Sequence, residues 1–310
     1  MNSGFNFDFF VGGCLQLMLR SLDLCEYQLR YLQMERELFP PPPKGNLRDD
    51  DDLRRRLGLA LARSVWQASP NPAFRFACPQ LPSLQGNEPC YCGSGVTFAQ
   101  CCEPLSRNVP LRDANLLGEV LRRLPRTKWK ALPDSHVDVD RVAHFAGELQ
   151  ARGDDTAALA LLEPWFVRDD AFVARRELLF DILTNVYFDL GKPRKKTQLL
   201  ERAVRHGDRT LKSAALQRLA SIASDRKDFA KAWALFREAE QIDPEAVSLS
   251  HLEVMLLLSQ GREVEAKVAA RRWIARLSRR NDRGLHPLIE RLRELERDGK
   301  ALLERFADGL

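Results

Sequence analysis

The sequence predicts a mostly α protein in which a compact cysteine-rich segment precedes an array of helices. Three observations carry that reading. Sustained period-two alternation of β-branched residues is almost absent, so strands have no signal. From about Asp113 onward, long stretches rich in Ala, Leu, Arg and Glu alternate with short breaks, as successive helices do. Four of the seven cysteines fall between Cys90 and Cys102.

At 310 residues the chain is long enough for two ordinary domains, or for one repeat array with appendages. Its 48 basic and 43 acidic residues leave a formal charge of +5, which neither demands nor excludes an acidic partner such as RNA. No apolar run approaches the roughly 20 residues that span a bilayer. Phe9 to Leu19 is apolar, but no Lys or Arg precedes it and no clear small-residue cleavage site follows, so it does not read as a secretory signal. The expected compartment is the cytosol, where the isolated thiols Cys14, Cys25 and Cys78 stay reduced.

In chain order, residues 1–36 read as one amphipathic helix. Met34 offers a second possible start, so the segment 1–39 is either an N-terminal helix or a mis-assigned start. The region 40–85 reads as a linker plus a short helix. Pro40 to Pro43 cannot continue a helix and form a stiff extended stretch. Asp49 to Asp52 then open a helix whose buried stripe is Leu53, Leu57, Leu61 and Val65, the acidic residues suiting the positive end of its dipole. Turn residues from Pro70 to Pro89 argue for loop.

The segment 86–108 holds the cysteines in the spacing Cys90-x-Cys92-x8-Cys101-Cys102. Zinc prefers four soft or borderline ligands in a tetrahedron, and thiolates fill that role. Gly93-Ser94-Gly95 permits a tight reversal that returns the second pair to the first. Backbone N–H groups in such a turn can hydrogen-bond the sulfurs and offset their charge. The alternatives are disulfides or unconnected buried thiols. A disulfide between neighbouring cysteines is strained, and a cytosolic chain rarely keeps one. A phosphate loop would need a Lys at the Walker spacing, which is missing.

Asn87-Glu88-Pro89-Cys90-Tyr91-Cys92-Gly93-Ser94-Gly95 followed by Cys101-Cys102 closely resembles the SEC-C zinc knuckle. That motif ends the bacterial preprotein-translocase ATPase and recurs in many small bacterial proteins. The resemblance implies that Cys90, Cys92, Cys101 and Cys102 bind one structural Zn2+ per chain. The ending Cys101-Cys102-Glu103-Pro104 is similar to a family of small bacterial proteins with Cys-Cys-x-Pro at this place. Translocase-type knuckles carry lysines before the third ligand, where this chain has Val96, Thr97, Phe98 and Ala99. The basic surface used towards an export chaperone and the ribosome is therefore missing from that stretch. Four thiolates also close the coordination sphere, leaving no position for a catalytic water.

Beyond a helical connector over 109–138, the region 139–280 reads as about four helical pairs. Ala214 to Pro244 places Leu219 and Ala220 on a first helix, Ala232, Phe236 and Ala239 on a second, and Pro244 as terminator. Small residues where helices touch, an aromatic filling the groove and a closing Pro resemble a tetratricopeptide (TPR) repeat. Gly261 and Ala266 follow Lys227 and Ala232 by thirty-four residues, the period expected of such repeats. Gly153 and Gly191 occupy similar inter-helix turns at looser spacing. A non-repetitive helical bundle would bury the same residues without a concave face. The resemblance implies a groove that binds a protein segment.

Residues 281–310 read as a C-terminal capping helix with the stripe Leu288, Leu292, Leu295, Leu302 and Leu303. Arg271, Arg272, Arg276, Arg279 and Arg280 near Trp273 support an alternative in which the chain is a ribosome- or RNA-associated factor. The five histidines are scattered, and no Walker loop, dinucleotide fingerprint, HExxH or GxSxG occurs. The expectation is thus a small zinc knuckle followed by an α-helical, TPR-like repeat array: not an enzyme, but a cytoplasmic bacterial adaptor with a protein partner. It has no membrane association and no evident small-molecule substrate.

Overall fold

The computed structural model describes residues 5–41, 47–107, 111 and 114–307. Helices dominate. Among the described residues, β pairing is confined to two isolated bridges, Asn71 with Ala77 and Pro89 with Thr97. None of the described helices is long and apolar enough to cross a membrane. The chain divides into two compact units, Met1–Trp165 and Phe166–Leu310.

In the first unit, the single helix expected over residues 1–36 is two helices, α1 (Phe7–Leu19) and α2 (Leu24–Leu38). Local chemistry makes the break. The Ser21 hydroxyl donates back to the Leu17 carbonyl at 2.7 Å, and Asp23 caps α2 by accepting from the Glu26 N–H at 2.8 Å. The Glu26 carboxylate in turn accepts from the Leu22 N–H at 2.7 Å, one residue before the cap, which fixes the chain entering α2. Phe10, Cys14, Leu15 and Met18 of α1 are fully buried with Tyr27 and Tyr31 of α2. Burial pushes the Cys14 thiol up to about 12, so it serves as an inert core residue.

Helix α3 (Leu47–Ala68) completes this core, and the Tyr27 hydroxyl donates to its Ala62 carbonyl at 2.8 Å. The buried stripe differs from the expected one. Leu61 and Val65 are buried, but Leu53 is exposed, and Leu59, Ala62 and Trp66 face the core instead. A four-residue spacing overshoots the helical turn by about 40° at each step, so such a stripe drifts off the core. Glu35 and Arg54 form an ion pair at 2.5 Å with side chains only 9% and 6% exposed. Arg54 also bonds Asp51 at 2.8 Å and the Phe39 carbonyl, so that each of its three guanidinium nitrogens donates. Pro42 and Pro43 lie outside the described residues, as do the side chains of Asp49 and Asp50.

Past α3 the chain runs through loop to a four-residue helix, α4 (Glu103–Ser106). Of the expected connector over 109–138, residues 109, 110, 112 and 113 lie outside the described residues. The remainder holds α5 (Leu117–Arg122) and a 3-10 stretch, Arg126–Asp134, pinned where Trp129 Nε1 donates to the Leu121 carbonyl at 3.2 Å. Helices α6 (Val139–Ala151) and α7 (Asp155–Leu162) follow as a hairpin.

The second unit stacks α8 (Glu177–Asp189) with α9 (Pro193–His206), α10 (Arg209–Asp225) with α11 (Phe229–Ile242), and α12 (Ser248–Ser259) with α13 (Glu263–Ser278). A final helical segment, α14 (His286–Ala307), kinked at Asp298 where φ is −148° and ψ 49°, packs on α12 and α13. Contacts also run between next-nearest helices, α10 to α12, as expected of stacked pairs. Ala220, Ala232, Phe236 and Ala239 are buried at the seams, while Leu219 is only half-buried. Ile289, Leu292 and Leu295 seal the end of this core. The side chains of Leu302 and Leu303 lie outside the described residues.

Four hairpin turns share one construction. Gly153, Gly191, Lys227 and Gly261 all take positive φ, at 73°, 62°, 61° and 71°. The next N–H in each case bonds back to the carbonyl five residues earlier: Asp154 to Leu149, Lys192 to Tyr187, Asp228 to Ala223 and Arg262 to Leu257. This left-handed helix ending satisfies carbonyls that would otherwise be orphaned. The second unit also has side-chain contacts between segments 31 to 36 residues apart. Ala174 N–H to Asp208, Arg218 to Thr184 and Arg209 to Asp243 each span 34 residues.

Candidate metal centre

The cysteine segment folds as a miniature hairpin closed by a turn. Cys90 N–H donates to the Val96 carbonyl at 3.0 Å and Phe98 N–H to the Glu88 carbonyl at 2.8 Å, on either side of the Pro89–Thr97 bridge. Between them Gly93 and Gly95 sit at φ 76° and 80°. A Cβ at either would meet nothing within 4 Å, so backbone conformation rather than space demands glycine there. The return leg leads into α4, whose start places Cys101 and Cys102 beside the first pair.

The structure brings Cys90, Cys92, Cys101 and Cys102 together, with all four Sγ atoms within 4.8 Å of one another. Cys92 Sγ lies 3.4 Å from both Cys90 and Cys101, and Cys101 lies 3.8 Å from Cys102. These separations are far beyond a disulfide bond of about 2 Å, and all seven cysteines are free thiols. A tetrahedron with metal–sulfur bonds of about 2.3 Å has edges near 3.8 Å, so the donor set fits a zinc-sized cation. Cys102 is fully buried, and Cys90 and Cys101 nearly so. Among the described residues this is the one cluster of three or more potential ligands, and it contains no histidine. His144 is exposed and lies 3.2 Å from Glu148 instead.

As thiols the four are not equivalent. Burial pushes Cys90 up, and it pushes Cys102 up strongly with help from the neighbouring sulfurs. Burial also raises Cys101, but hydrogen bonds with Ser94 and the other cysteines outweigh it and lower this thiol to about 7. The Ser94 hydroxyl lies 3.3 Å from Cys101 Sγ, and the Cys92 backbone supports the Cys90 sulfur. The Gly-Ser-Gly turn thus shapes the site and solvates it.

Two basic residues that sequence reasoning did not connect to the site approach from α3. Arg56 Nη1 donates to Cys101 Sγ at 3.8 Å while its Nε pairs with Asp52 at 2.9 Å. Arg63 places its guanidinium 4.1 Å from the ring centre of Tyr91, the residue between the first two cysteines. Tyr91 in turn lies 2.9 Å from the Ser106 hydroxyl and 5.8 Å from the Phe98 ring. Val96–Ala99, where lysines were missing, therefore contributes an aromatic prop and a bridge, while positive charge comes from another helix. The signal was present in the sequence only as two arginines seven positions apart, which share a helix face.

These elements border a cleft of about 530 Å³ lined by Arg63 and Gln67 of α3, Leu81 and Leu84 of the loop, and Tyr91 and Phe98. Compared with known families, residues 87–104 match the SEC-C motif. No curated protein and no solved structure matches the chain.

Proposed function

We propose that the chain is a zinc-binding adaptor: a structural zinc site at Cys90, Cys92, Cys101 and Cys102, and a TPR-like helical array that holds a protein partner. The observation that carries the reading is the convergence of four thiol sulfurs within 4.8 Å inside a SEC-C motif. With four thiolates the sphere is closed, so the ion's contribution is to fold and hold the knuckle, not to activate water. In this reading the chain is not an enzyme and works in the cytoplasm.

Support for the array comes from contacts spaced by about one repeat, three of them by 34 residues, and from the shared turn construction, because stacked similar pairs generate an extended binding face. Phe188 on α8, at 62% exposed, and Val264 and Val268 on α13, at 77% and 60%, offer apolar contacts to a partner. The nucleic-acid alternative draws less support. Arg271 pairs with Glu296, Arg272 with Glu253, and Arg276 and Arg280 with Glu245, so local carboxylates engage four of the five arginines that suggested it.

Metal analysis of protein purified without added metal tests the first half. About one zinc per chain is expected, with loss in Cys90→Ser and Cys101→Ser and retention of most of the far-ultraviolet helix signal. Protein free of zinc and of comparable ions overturns the reading. For the second half, affinity capture from cells with the intact chain and with Cys90→Ser identifies what binds and whether the knuckle is needed.

A further inference from the structure

Arg63 is only 7% exposed and lines the cleft beside the knuckle, yet it has no ion pair and no hydrogen bond to protein among the described residues. An arginine cannot shed its proton in a protein, and a buried charge without compensation is strongly disfavoured. The compensation available to it is specific. Besides the Tyr91 ring face, the groups that act on its charge include the Cys102 and Cys90 sulfurs. Four neutral thiols would supply little. Four thiolates around a divalent cation leave two negative charges in excess, next to two arginines from one helix.

We propose that Arg63, assisted by Arg56, is the built-in counter-charge of a metal-loaded tetrathiolate, and that this pairing docks α3 onto the knuckle. The inference rests on the metal reading above. Arg56 and Arg63 lie two turns apart on one face of α3, about 10 Å along its axis, so both can face the knuckle. Arg56 is the lesser partner, because Asp52 shares its charge at 2.9 Å. The geometry gives a metal ion a reach beyond the knuckle. On loading, α3 gains an electrostatic anchor, and through Trp66 and Val65 it carries the core built with α1 and α2. When the ion leaves, Arg63 keeps only the Tyr91 ring and the water of the cleft to balance its charge, and α3 loosens. Arg63 and Arg56 are thus positioning residues for the site and not ligands.

The test uses the full-length zinc-loaded protein and two readouts. In the first, a chromogenic chelator follows zinc release from wild type, Arg63→Gln, Arg63→Lys and Arg56→Gln at one pH. Release from Arg63→Gln is expected to be faster by roughly ten- to hundredfold, the range typical of groups supporting a metal ligand. Arg63→Lys, which keeps the charge, is expected to stay closer to wild type, and Arg56→Gln to show a smaller effect than Arg63→Gln. The second readout is hydrogen exchange across residues 47–68 of wild type, before and after chelation. Exchange there is expected to rise on metal removal while helices α10 to α13 stay unchanged. The second readout needs no variant, so a misfolded Arg63→Gln does not blunt the test. Unchanged release rates in a folded Arg63→Gln, or α3 exchange indifferent to the metal, overturn this inference alone. A wild type that binds no metal overturns the metal reading and this inference with it.

Discussion

The four left-handed turns allow a test in which geometry isolates one energetic effect. Replacing Gly261 by Ala adds a Cβ that would meet nothing within 4 Å, so no clash enters. What remains is φ at 71°, which costs an L-residue about 1–2 kcal/mol. Alanine also restricts the unfolded chain, which returns about 0.4–1 kcal/mol. The net destabilisation is about 0.5–1 kcal/mol, and in a unit of roughly 150 residues about 1 kcal/mol corresponds to a Tm shift of about 2–4 °C. Lys227 occupies the equivalent turn at φ 61° with its side chain exposed, so Lys227→Gly removes the same strain and should shift Tm upward by a similar amount. Differential scanning calorimetry of wild type, Gly261→Ala, Lys227→Gly and the double variant reads all four. The double variant should fall near wild type, because the sites belong to different turns and their effects add. If Gly261→Ala is neutral, or Lys227→Gly lowers Tm, the claim that these turns are equivalent by construction fails.

Two further predictions concern buried charge. Glu35→Gln leaves Arg54 without its closest carboxylate in the first unit and should cost toward about 3 kcal/mol in urea unfolding, the lower end for a broken buried pair because Asp51 and the Phe39 carbonyl remain. Replacing both Glu35 and Arg54 by Met should recover much of that loss, and a double variant as weak as the single would refute the argument. His251 on α12 is pushed down by burial and, secondarily, by Arg291, so the folded state favours its neutral form. The unfolded chain then binds the extra proton, and this contribution is fully present above the ordinary histidine value of about 6.5 and lost as pH falls through the lowered folded value. His251→Gln should flatten the decline in Tm below neutral pH relative to wild type, and identical pH profiles would exclude the effect.

Much of the fold was legible because the signals are local. Gly-Ser-Gly between paired cysteines specifies a tight reversal, and the left-handed residues at Gly153, Gly191 and Gly261 mark helix ends through their own backbone freedom. Small residues at Ala220, Ala232 and Ala239 predicted helix seams and are buried there. The break at Ser21–Asp23 was missed although its capping residues are in plain sight, because the apolar period runs on across it.

By itself, then, the sequence determined what short-range chemistry can determine: helices, turns, and four thiols placed to converge. Only the tertiary structure decided which charges those thiols meet. Arg56 and Arg63 reach the knuckle from α3, across a long loop whose path no local pattern encodes. The same holds for the C-terminal arginines, whose carboxylate partners lie 19 to 35 residues away and become neighbours only when helices stack. The energy of such contacts depends on burial and on counter-charges brought in by distant segments, and those exist only once the chain has folded.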